Sequence, residues 1–203
     1  SDESGANRRR RVDADFSNGQ NLIAIGADAQ ALGTDATSMG SSSFASGEAS
    51  VALGTATEST GVNSIALGST AEALKNDALA IGTASTASGT NSTSIGLSST
   101  ATARDAASIG SQADATALRS TAIGYQARAR ALEAYAIGSS AKATAKQSTA
   151  IGSNAQSTER DSYAIGTGSA ARGNQAFAIG SSAKATAKQS TAIGSNAQST
   201  ERD

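Results

Sequence analysis

A large aliphatic residue followed by glycine recurs every 14 residues along this chain, thirteen times and without insertion. The pairs are Ile25-Gly26, Met39-Gly40, Leu53-Gly54, Leu67-Gly68, Ile81-Gly82, Ile95-Gly96, Ile109-Gly110, Ile123-Gly124, Ile137-Gly138, Ile151-Gly152, Ile165-Gly166, Ile179-Gly180 and Ile193-Gly194. Residues 136–161 also recur identically as residues 178–203, an offset of three repeats. Self-similarity at a fixed period calls for one structural unit stacked on copies of itself, a solenoid. A disordered low-complexity chain holds no such register.

The contents of each repeat limit its interior. With the glycine as position zero, position −2 is Ala or Ser in all thirteen repeats, and −4 is Ala or Ser in all but the first, which has Leu22. Position +3 is Ala, Ser or Thr, and +5 is Ala or Ser. Position +7 is Gly in five repeats and Ala in five more. Small residues at every second position, alternating with larger ones, are the strand signal. Fourteen is also two heptads, but a coiled coil needs about four large apolar residues per 14 and this repeat reliably offers one. A glycine every four turns would cost a helix roughly 1 kcal/mol each time. Across the chain, Ala 46, Ser 33, Gly 21 and Thr 21 leave room for only six aromatics, too few large side chains for an interlocking globular core.

The pattern predicts an all-β parallel β-roll, a solenoid whose 14-residue turns each carry two short strands of about five residues. The small residues at −4, −2, 0, +3, +5 and +7 face one another inside, so the two sheets pack closer than the usual ~10 Å. Turns that end on Asp35, Asp77, Asp105 and Asp161 agree with tight connections. Stacked at about 4.8 Å per turn, the repeats make a rod roughly 60 Å long.

So thin an interior excludes the large residue at −1, which must point outward. Position −3 joins it with Ile23, Val51, Ile65, Leu79, Tyr135, Tyr163 and Phe177. The thirteen residues Ile25, Met39, Leu53, Leu67, Ile81, Ile95, Ile109, Ile123, Ile137, Ile151, Ile165, Ile179 and Ile193 then present on the order of 1,000 Å² of apolar surface, more than a soluble monomer leaves bare. The expectation is oligomerisation along the whole rod. The pattern fixes neither the number of chains nor the hand of the roll.

The unit Ser-x-Ala-Ile-Gly-x-x-Ala-x-Ala-x-Gly/Ala, seen at Ser64-Ile65-Ala66-Leu67-Gly68 and Ser120-Thr121-Ala122-Ile123-Gly124, resembles the head repeat of YadA-like trimeric autotransporter adhesins. The resemblance covers residues 15–203, including an N-terminal half turn, and leaves residues 1–14 as a non-repeat, flexible start. It implies a left-handed roll and a homotrimer with the outward aliphatic stripe at its centre. It further implies exposure at the bacterial cell surface, from the outer membrane of a Gram-negative organism, with a role in virulence. Neck, stalk and membrane anchor are expected outside this segment. The pattern is broken at +7, where Lys75, Glu159 and Glu201 replace small residues and the turn edge must open to solvent.

Composition removes most other functions. With no His and no Cys there is no Ser-His-Asp triad, cysteine nucleophile or ordinary zinc site. The carboxylates are scattered, without a pair or a calcium-loop spacing, and the glycines fall as turn elements rather than as a phosphate loop. The repeat also departs from that of hexapeptide acyltransferases, since 14 is not a multiple of six. No enzyme, cofactor or metal is expected. A net charge of −1 gives no overall pull toward nucleic acid, and the basic run Arg8–Arg11 lies among acidic residues in the non-repeat start.

Charge along the rod is uneven. Residues 22–103 carry one basic residue against six acidic ones, and residues 104–203 carry eleven against seven. Arg128, Arg130, Lys142, Arg172 and Lys184 form an interrupted basic stripe on the outer face at +4 and +6, a candidate docking surface for anionic matrix components or a solubilising face. Thr at +6 in seven repeats hints at an ice-ordering array, which the charged +4 neighbours spoil. The expected function is a non-enzymatic adhesin head that binds host extracellular-matrix protein or glycan at many weak points. The alternative is a purely structural rod that projects another binding domain, with an ice-binding solenoid a distant third.

Overall fold

The computed structural model describes residues 21–200, so the flexible start expected for residues 1–14 lies outside the described residues. The described chain is wound into a two-sheet parallel β-solenoid with no helix among those residues. Each repeat contributes a three-residue strand at −3 to −1, such as β1 (Ile23–Ile25), and a two-residue strand at +4 and +5, such as β2 (Gln30–Ala31). Odd-numbered strands form one 13-stranded sheet and even-numbered strands the other, each pairing with the strand one coil away. Register is offset by one repeat throughout: Ile23 pairs with Thr37, Ala24 with Ser38, Ile25 with Met39.

The strands are shorter than the five residues expected because both ends of each run bend into turns. Beyond −1 the glycine leaves the extended region, with φ between +121° and +142° at position zero in all thirteen coils. The residues at +2 and +9 then take left-handed conformations. Asp28 and Asp35 do so at φ 57°, and Ala84 and Arg119, which lack the local hydrogen bonding of Asp or Asn, do so at φ 55°. Backbone pairing nevertheless continues through the turns from coil to coil: Ser42 N–H donates to Ala27 carbonyl and Ala49 N–H to Thr34 carbonyl, at 2.8 and 2.7 Å. The stack thus repays the left-handed strain with a hydrogen bond at every turn.

The interior is as thin as the composition requires. Away from the two end coils, Ala and Ser fill −4, −2, +3 and +5 with almost no exposure, save Thr57 at +3, which is the largest fully buried side chain among the described residues. A single serine spans the gap between the sheets. Ser108 Oγ, on the −2 position of one sheet, donates to the Ala113 carbonyl at the opposite strand, 2.8 Å away. Ser38 and Ser43 meet across the same gap with their hydroxyl oxygens 2.7 Å apart. Other hydroxyls close the turns, as Ser43 does onto the Gly40 carbonyl and Ser120 onto the Ala117 carbonyl. At the variable +7 position Lys75 and Glu159 are exposed, as the break in pattern required.

Candidate functional site

Neither outer face of the roll is covered by the described residues, and each carries one of the residue sets singled out from sequence. On the face of the three-residue strands, all thirteen −1 residues point away from the interior and none is buried. They stand in one unbroken column, since each pairs in register with the next, as Ile109 with Ile123 and Ile123 with Ile137. Beside it runs the −3 column, where Tyr163 and Phe177 stack with ring centroids 5.0 Å apart and planes 3° from parallel. Shallow grooves separate these aromatic rings from the polar turn residues Glu133, Gln147, Asp161, Gln175 and Gln189.

The opposite face brings the five basic residues together but sorts them into two kinds. Arg130 and Arg172, both at +6, reach back one coil to an acceptor at +4. Arg130 Nε donates to Asp114 Oδ2 at 2.6 Å, and an Arg172 amino group donates to Gln156 Oε1 at 3.0 Å. The Arg130 charge is therefore partly neutralised within the roll's own surface, while Arg172 keeps its charge and is held by a neutral amide. Arg128, Lys142 and Lys184 at +4 have no carboxylate partner among the described residues. Arg128 and Lys142 are neighbours in the ladder, so two like-charged side chains rise from backbones about 4.8 Å apart along the stack.

A groove of about 210 Å³ runs beside that pair, lined by Gln126, Ser140 and Asn154 from the +2 column and by Arg128, Lys142 and Gln156 from the +4 column. Sequence reasoning found the cations and missed the polar +2 column. Those residues fall in a turn, and only the 14-residue register places them beside +4. No group of His, Cys, Asp or Glu that could hold a metal occurs among the described residues.

No curated protein matches this chain. Among solved structures, the collagen-binding domain of the Yersinia adhesin YadA is similar, at 35% identity over 70% of this chain and 71% of that one, with a TM-score of 0.48. The YadA head domain repeat, described as two copies per unit, matches residues 17–43, 45–71, 73–99, 101–127, 129–155, 157–183 and 171–197. Successive matches begin 28 residues, or two coils, apart until the last, which is shifted by one coil. Matched from residue 17 to residue 197 in the register of its own ladder, the chain belongs to the YadA head-repeat family.

Proposed function

We propose that this chain is the head segment of a trimeric bacterial surface adhesin, a non-enzymatic module that attaches to host extracellular matrix or cell surface. The observation that carries the reading is the unbroken outward column from Ile25 to Ile193 on a roll of this family. An apolar stripe of that length needs cover, and other copies of the same chain supply it along the full rod. Three copies place the column on a shared axis and leave the +4/+6 faces outward. The outer membrane is then the surface from which the rod projects.

Attachment on this reading is multivalent. Three identical faces, each repeating its chemistry coil by coil, offer many weak contacts whose avidity substitutes for one deep pocket. The basic half of the rod, with Arg128, Arg130, Lys142, Arg172 and Lys184, supplies attraction for anionic matrix components.

Two measurements test the proposal. Light scattering after size-exclusion chromatography should give three chains, about 60 kDa against 19.8 kDa for one. A monodisperse monomer would remove the interface. Binding to immobilised matrix proteins and glycans should follow, and should fall when the five basic residues are changed to Glu. Trimers that bind no matrix component would instead identify a structural spacer.

A further inference from the structure

We infer that the groove beside Arg128 and Lys142 is a cradle for the sulfate groups of an extended sulfated glycan, an inference that rests on the adhesin reading and names a ligand chemistry for it. The two cations are neighbours in the ladder, half-buried and unpaired with any carboxylate among the described residues. The nearest acid on the same column, Asp114, pairs in register with Arg128; Arg130 grips its Oδ2, and its Oδ1 is buried without a hydrogen-bond partner among the described residues. Two cations on adjacent rungs of the ladder repel, and neither makes an ion pair among the described residues. An external anion between them relieves the repulsion.

The rest of the groove fits an oxyanion. Gln156 Oε1 accepts from Arg172, which turns its amide nitrogen, without a partner among the described residues, into a donor for a ligand. Ser140 adds a hydroxyl from the +2 column. Sulfate offers three acceptor oxygens to two cations and these neutral donors, with charge-assisted bonds to Arg128 and Lys142.

The geometry also favours a chain over an isolated ion. The groove is open along the stack, and the duplicated segment repeats part of the site three coils on: Ser182, Lys184, Asn196 and Gln198 stand where Ser140, Lys142, Asn154 and Gln156 stand. The second position is about 14 Å further along the rod. There Gly168 and Ala170 replace Gln126 and Arg128, so it is a weaker half-site. A linear polyanion laid along the +4 face meets both, and trimeric display triples the contact.

The test is binding of a size-defined heparin oligosaccharide and its fully desulfated counterpart to the 203-residue chain, by calorimetry at physiological salt. The expected result is binding of the sulfated form only, weakened at least tenfold in R128A/K142A with an unchanged thermal melt. The variant K146A/K188A removes the same charge from exposed turn positions at +8 and should stay within about twofold of the parent. Equal loss in both variants would reduce the effect to net charge and overturn the cradle. Equal binding of the desulfated sugar would overturn sulfate as the recognised group. Failure to bind heparin while matrix attachment persists would overturn this inference and leave the adhesin standing. Failure to bind either would remove both.

Discussion

A Cβ built on Gly124 would lie 2.7 Å from the carbonyl carbon and oxygen of Gly138, its counterpart one coil on. The obstacle is backbone, which has no rotamer to move, and the φ of +125° at Gly124 is itself closed to L-residues. Gly124→Ala should therefore destabilise by several kcal/mol, about 1–3 from conformation and a similar amount from the forced shift of the stack. Gly168 is the contrast. Its φ of +67° is close to what 24 non-glycine residues, alanines as well as polar ones, adopt in the same two turns, and its Cβ would meet only Ser182 Oγ at 3.6 Å. Gly168→Asn should be neutral or stabilise by up to about 1 kcal/mol, by restricting the unfolded chain. Thermal melts of the two variants check both signs.

Buried hydroxyls divide in the same way. Ser64 Oγ donates to the Gly61 carbonyl at 2.6 Å and lies 2.6 Å from Ser59 Oγ, whereas Ser50 Oγ, at the equivalent position one coil earlier, is buried without a partner. Ser64→Ala should cost about 1 kcal/mol, and Ser50→Ala should be neutral or stabilising by a similar amount. Denaturant titration resolves the difference, and equal losses in both would mean that Ser50 is satisfied by a bound water.

These contrasts mark what sequence could and could not give. Register, coil length and the inside-outside division were all readable, because a 14-residue period with only Ala, Ser and Thr at −2, +3 and +5 has one way to stack. Ala122 is buried and Ile123 is not, as that logic demands. The left-handed turns were readable only in part. Asp35 and Asp77 announce them, but Ala49, Ala56 and Arg119 adopt the same conformation because the coils above and below impose it. The diagonal from Arg130 to Asp114 spans 16 residues. It depends on two arginine nitrogens reaching one coil back, which a charge count along a stripe does not register. Hence five basic residues that looked equivalent separate into two already engaged, Arg130 by a carboxylate and Arg172 by an amide, and three with no side-chain partner among the described residues.

Ala122 offers the severest test of the thin interior. It is fully buried between Ser108 and Ala136 in its own sheet, and no side chain larger than threonine is fully buried anywhere among the described residues. Ala122→Leu has no cavity to enter and no rotamer that avoids the opposite sheet. A loss of at least about 1–3 kcal/mol is expected, with local opening of the coils on either side. Circular dichroism should show reduced strand signal or an early, separate melting step, since a solenoid interrupted at one coil divides into two stacks.

Ile123 is adjacent in sequence and opposite in consequence. Its side chain points outward between Ile109 and Ile137, so a single chain tolerates a polar residue there without disturbing the ladder. In the proposed trimer the same substitution places three carboxylates together on a desolvated axis, where unpaired charge is costly. Ile123→Asp should keep the strand signal of the parent while its light-scattering mass falls from about 60 kDa toward the 19.8 kDa of one chain. Salt should restore little of the trimer, because charges on a desolvated axis are screened far less than exposed ones. A parent and variant of equal mass would place the interface elsewhere, and the apolar column would then need a different partner.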